Sequence, residues 1–248
     1  MTDAVDRVLW TAGWDSTFRV AQLLLGSKAR VEPWYVIDDD RRSSPVELRT
    51  MESMRAALIE RDETVRQRLL PTRIVRKADI PSDSTITSWY QGLRKSNYWG
   101  AQYEWLARLA KAENVRFQIG LKSDDSPTAR LSRLIVPVEG SGRFVLDPAL
   151  EDGPEQLFKY FEFPICDLSK TQLVRKAETE GFDDILSMAW SCHTPLFDGK
   201  PCGWCNPCKH AREEGFGHRV PPPTLGRRVQ YQLITMPRRL RRRLSSTR

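Results

Sequence analysis

Four of the five cysteines fall within residues 192–208: Cys192, then Cys202, Cys205 and Cys208 in a C-x2-C-x2-C run. Gly203 and Pro207 bend the run, so three thiolates share one tight knuckle and Cys192 returns from upstream as the fourth. Four soft ligands fill a tetrahedron and leave no position for water, which points to a structural rather than a catalytic Zn2+. The clustering argues against a disulfide framework and for a reducing compartment. With acids and no apolar stretch over Met1–Arg7, no signal peptide is expected and the expected location is cytoplasmic. His193 and His210 read as neighbours of the ligands, and Cys166 as a small buried apolar residue.

Thr11-Ala12-Gly13-Trp14-Asp15-Ser16 suits a different chemistry. Between a strand and a helix, its N–H groups and the positive helix end can converge on phosphate. Gly13 permits close approach, the hydroxyls of Thr11 and Ser16 can donate to phosphate oxygens, and Asp15 can hold a hydrated Mg2+ beside them. A plain helix-capping turn is the bland alternative.

The elements needed to position this loop are legible around it. Arg7–Thr11 reads as a strand. Phe18, Ala21, Leu24 and Leu25 then recur at helical spacing until Gly26. Val31–Ile37 reads as a second strand ending in Asp38, Asp39 and Asp40. Ser44, Pro45 and Glu47 then supply an N-cap, a first-turn proline and a capping-box acid for a long helix to Leu70. Thr72–Val75 and Val115–Leu121 are further strands, with a periodic helix over Trp99–Glu113 feeding the second. Ile135–Val138 and Phe144–Leu146 flank Gly140-Ser141-Gly142 as a hairpin. Ser169 and Gln172 box the start of a helix that Gly181 ends. Strands alternating with helices predict an α/β fold, a doubly wound and mostly parallel sheet with ligands at the strands' carboxyl ends. Trp89, Tyr90, Tyr98, Trp99, Tyr103 and Trp105 read mainly as packing residues, with one or two free to stack a flat base.

The chain of 248 residues carries +7, yet no acidic residue follows Glu214, and nine arginines do. The rest of the chain is therefore at −2, and its bulk charge implies no phosphate-coated partner. Pro221–Pro223 mark the expected end of compact structure. The Arg-rich remainder is expected to be flexible, touching an anionic RNA or membrane surface weakly.

The two motifs together resemble a known family. The loop is similar to the Ser-Gly-Gly-x-Asp-Ser pyrophosphate loop of the PP-loop, or adenine-nucleotide α-hydrolase, superfamily. Ala189–His193, Cys202–Cys208, Pro164 and Leu168–Val174 resemble segments of 7-cyano-7-deazaguanine synthases. This implies a Rossmann-like ATP-binding domain over 1–188, a zinc segment over 189–217 and a basic tail over 218–248. It also implies an ATP-dependent, AMP-forming ligase that adenylates a carboxylate, of 7-carboxy-7-deazaguanine or another carboxyl substrate, and passes it to ammonia. Asp38 would then meet the ribose, and Lys122 or Arg130 the substrate carboxylate. Thr11 and Ala12 replace the family's serine and glycine, Lys122 replaces an asparagine, and the aromatic-Tyr-Gly-Gln segment has no counterpart. A protein substrate and a nucleotide-binding sensor or scaffold therefore stay open; a tRNA-modifying relative and a homodimer stay open independently of these departures.

Overall fold

The computed structural model describes residues 5–245, with side chains up to Met236 apart from His218. In chain order the elements are β1 (Val5–Leu9), α1 (Trp14–Ala21), β2 (Arg30–Ile37), α2 (Ser44–Arg61), α3 (Val65–Arg68), β3 (Arg73–Arg76), α4 (Ser84–Ser96) and α5 (Gln102–Ala112). Then come β4 (Phe117–Gln118), α6 (Ser126–Leu131), β5 (Ile135–Val138), β6 (Arg143–Leu146), β7 (Phe161–Phe163), α7 (Lys170–Glu180), α8 (Asp183–Ser187), α9 (Asn206–Glu213) and α10 (Leu225–Ser245).

The sheet runs β3-β2-β1-β4-β7-β6-β5. It is parallel from β3 through β7, and the β5–β6 hairpin closes it antiparallel. From β1 the chain steps outward to β2 and β3, then returns to place β4 on β1's other side. β1 and β4 thus flank the switch point, the crevice where such sheets bind ligands. Two apolar clusters cover the two faces. Phe18, Met51, Met54, Leu58, Leu173 and Phe182 join α1, α2, α7 and α8 on one. Ile86, Leu93, Tyr103, Phe158 and Phe161 join α4 and α5 to the other. Each such side chain, fully buried, contributes about 1.5–3 kcal/mol.

Local chemistry explains both the agreements and the differences. Ser169 and Gln172 close a reciprocal capping box, and Gly181 ends α7 at φ 72°. The expected helix to Leu70 instead stops at Arg61. Asp62 accepts the Thr64 N–H at 3.0 Å, a local turn that competes with the helix. Glu47 makes no capping box. It accepts the Tyr35 hydroxyl at 2.6 Å, tying α2 to β2. The expected flexible tail is also corrected: beyond Pro221–Pro223 the chain forms α10, and a third apolar cluster around the cysteines takes in Val220 and Ile234.

Candidate phosphate cradle and four-thiol knuckle

The loop after β1 leaves the sheet at the switch point. Ala12 is fully buried and holds a left-handed φ of 54°, a conformation that costs a non-glycine residue about 1–2 kcal/mol. That turn aims Gly13 and the first N–H groups of α1 outward. A Cβ on Gly13 would lie 3.3 Å from the Thr11 hydroxyl and 3.7 Å from that of Ser16, filling the concavity where a phosphate would sit. From the other side of the switch point, Gly120 lies so close that a Cβ there would meet Asp15 at 3.1 Å and the Ser16 nitrogen at 3.2 Å. The loop geometry thus fits a phosphate group.

Lys170, the first residue of α7, reaches the cradle. Its Nζ lies 2.7 Å from Asp15 Oδ1 and 3.7 Å from the centre of the Trp14 ring, with Phe216 at 5.2 Å. A cation at a helix N-terminus opposes the macrodipole, so Lys170 is stabilised by these contacts and not by α7. Burial holds the Asp15 carboxyl above its ordinary value, outweighing the charge and hydrogen bond of Lys170, which pull it down. Behind Lys170 sits Lys122, itself buried. It is ion-paired to Asp125, to Asp124 at 3.7 Å and to Glu214 at 3.3 Å. Burial alone would lower its pKa, but Asp125, Asp15 and Glu214 together raise it.

Two cavities of about 460 and 360 Å³ share Thr11, Gly13, Trp14, Asp15, Arg41, Glu47 and His193. The smaller opens between β2 and β4, lined by Asp38, Tyr103 and Trp105. Asp38 accepts from Lys77 at 3.2 Å, whereas Asp39 and Asp40 are exposed. The larger runs under α9 and Phe216. Burial, with Arg41 nearby, pushes His193 down to about 4, so its imidazole is neutral at pH 7.

The four thiols are all buried, and their sulfur atoms lie within 4.8 Å of one another. Sulfur–sulfur separations of 3.5, 3.9, 3.8 and 3.4 Å lie close to the roughly 3.8 Å edge of a tetrahedron with metal–sulfur bonds of about 2.3 Å. Backbone N–H groups of Trp204 and Cys205 point at the Cys202 sulfur, both at 3.3 Å. The donor set therefore fits a single tetrahedral ion. Cys166 stands apart and buried, its thiol pushed up to about 12 by that burial.

Thr11, Gly13, Asp15, Ser16 and Asp38 all line the cavities, with Ala12 buried beneath them. Lys122 and Arg130 line neither. Lys122 is enclosed by carboxylates, and Arg130 donates to the Tyr98 carbonyl at 2.8 Å and lies over the Trp99 ring. Sequence reasoning misses Lys170, Arg41 and Glu214. For Lys170 a signal exists, a cation placed directly after a capping serine where the helix dipole disfavours it.

These features define an α/β fold with a loop that fits a phosphate group at its switch point and a four-thiol knuckle against it. Residues 147–220 match a family described as queuosine biosynthesis protein QueC, bearing out the resemblance over that segment. Over 53 residues, 21% of this chain and 22% of the relative, the chain is 45% identical to a 7-cyano-7-deazaguanine synthase of Syntrophus aciditrophicus (strain SB). It is 38% identical over 53 residues, with the same coverage, to a 7-cyano-7-deazaguanine synthase of Rhizorhabdus wittichii. The match thus spans about a fifth of the length of these curated relatives. Among solved structures it is similar to the U34-tRNA thiolase NcsA from Methanococcus maripaludis with its 4Fe-4S cluster. That likeness has a TM-score of 0.42 and 13% identity over 97% of this chain and 73% of that one. NMN synthetase from Francisella tularensis gives a TM-score of 0.37 and 12% identity over 94% and 85%.

Proposed function

We propose that this chain is an ATP-dependent, AMP-forming ligase that activates a carboxylate, with 7-carboxy-7-deazaguanine as the first substrate to test. One observation carries the reading. The wall of the larger cavity opposite Thr11, Gly13 and Asp15 is built from Pro207, His210, Ala211, Glu214 and Phe216, all inside the segment that matches QueC.

On this reading the β- and γ-phosphates of ATP rest on the N–H groups at the start of α1, and Lys170 leaves Asp15 to neutralise them. Asp15 and Asp125 both face the larger cavity and would be the oxygen donors for Mg2+, which would supply further positive charge beside the departing pyrophosphate. Asp38 accepts a ribose hydroxyl and Tyr103 or Trp105 faces the base. Arg41, which lines both cavities, takes the role of orienting the carboxylate that the sequence suggests for Lys122 or Arg130. A carboxylate oxygen attacks the α-phosphorus, and the bond to the pyrophosphate oxygen breaks. Ammonia then adds to the acyl carbon and AMP leaves with the transferred oxygen, giving an amide. Dehydration of the amide by a second ATP gives the nitrile. Placement and charge neutralisation do most of this work. Zn2+ in the knuckle takes no part in the chemistry.

Incubation with ATP, Mg2+, ammonium and 7-carboxy-7-deazaguanine is expected to give AMP, pyrophosphate and a nitrile by mass spectrometry. AMP from another carboxylate but not this one would move the substrate and keep the class. No AMP with any carboxylate tried would overturn it.

A further inference from the structure

α10 is held to the body by one side. Ile234 is buried against the thiol knuckle with Tyr231 beside it. Arg227 donates to the Pro201 carbonyl at 2.7 Å, and the Arg228 guanidinium lies 5.5 Å from the centre of the Trp204 ring. A different stripe faces water: Leu225, Val229, Leu233 and Met236, at spacings of four, four and three, are 79%, 54%, 56% and 58% exposed. Four large apolar side chains in one row on a surface helix invert the usual arrangement, in which that stripe faces the core. In sequence, Leu240 and Leu244 continue the spacing; Arg238, Arg239, Arg241 and Arg242 fall at the other helical registers, and Arg243 falls at one edge of the stripe.

We infer that α10 docks this protein on an anionic lipid surface. The apolar stripe enters the boundary between headgroups and acyl chains, and the arginines pair with anionic headgroups. No helix among the described residues is long and apolar enough to cross a membrane, so the helix lies on the surface. Two other occupants fit less well. A second copy of α10 would cover the stripe but gather arginines with no acidic partner after Glu214, setting like charges together. A nucleic acid would neutralise the arginines and leave the leucine stripe in water.

Flotation of the full chain with vesicles tests this directly. Binding is expected to phosphatidylcholine vesicles containing phosphatidylglycerol and not to phosphatidylcholine alone. Leu233→Glu combined with Met236→Glu, both at exposed positions, is expected to weaken that binding at least about tenfold, with helix content by circular dichroism unchanged. Arg238→Gln with Arg239→Gln is expected to weaken it by roughly tenfold or more. Failure to bind anionic vesicles at low salt would overturn the inference. So would equal binding by the Leu233→Glu, Met236→Glu variant, which would leave only nonspecific charge attraction. A dimer abolished by those same two changes, without vesicle binding, would assign the stripe to a second copy instead.

Discussion

The Trp190 N–H donates to the Ala12 carbonyl at 2.8 Å, and the Trp190 indole N–H donates to the Cys192 carbonyl at 2.7 Å. One residue therefore joins the left-handed turn of the cradle to the first thiol of the knuckle. Glu214, just past α9, adds a second tie through Lys122 and a longer contact to Lys170 at 3.9 Å. The knuckle is a wall of the site and not a remote clasp.

Metal removal is therefore expected to reach the cradle. Metal analysis should find one zinc per chain. Chelation should cost thermal stability and ATP-dependent turnover together, because losing the knuckle frees α9 and the Trp190 link. Zinc stripped with melting temperature and turnover both intact would refute the assignment.

The left-handed Ala12 gives a test of the turn itself. Glycine there relieves about 1–2 kcal/mol of backbone strain and forfeits about 0.8 kcal/mol from one buried methyl. Ala12→Gly should thus change stability by no more than about 1 kcal/mol in urea denaturation. Ala12→Val should lose roughly 3 kcal/mol, since a branched side chain tolerates neither the φ nor the packing. Equal losses from the two would mean that the turn is not left-handed.

In the proposed function Lys170, which lines the larger cavity beside Asp15, is the cation that meets phosphate. Lys170→Gln is expected to lower kcat/KM for ATP by about 10²–10³-fold, with Lys170→Arg recovering part of it. The Gln variant should still bind one zinc, separating a lost charge from a lost fold. Unchanged kcat/KM would remove Lys170 from the site.

Away from the site, the Lys28 and Thr64 hydrogen bonds hold the Asp62 carboxylate well below its ordinary value of 3.8. A depressed carboxylate contributes stability that is complete above its unfolded value and lost as pH falls toward the folded one. Asp62→Asn should accordingly be less stable than the parent at pH 7, and the gap should close as the pH drops below 3.8. A gap independent of pH would show that the carboxylate charge is not responsible.

Much of the fold and of the site is legible in the sequence, for physical reasons that differ between segments. The Ser169–Gln172 box and Gly181 cap are local devices, and α7 starts and stops where they say. The β5–β6 hairpin follows its glycine turn in the same way. The cysteine spacing brings four thiols together because the knuckle is nearly all local, with Cys192 alone arriving from outside the run. α4 carries local signals that the expected strands and helices above leave out: Asp83 caps it, accepting from the Ile86 N–H at 2.9 Å, and Ile86, Trp89, Tyr90 and Leu93 follow at helical spacing on one apolar face. Lys122, Lys170 and Glu214 lie on three separated segments, and only the sheet's switch point and the knuckle set them side by side. Composition makes the tail look disordered. The packing of Ile234 on the knuckle, which no local pattern announces, folds it into a helix.

The oxygen that leaves with AMP tests the proposed activation most directly. With both carboxylate oxygens of 7-carboxy-7-deazaguanine labelled with oxygen-18, adenylation predicts one labelled oxygen in the AMP phosphate and unlabelled pyrophosphate. Unlabelled AMP, or ADP with label in inorganic phosphate, would contradict attack at the α-phosphorus.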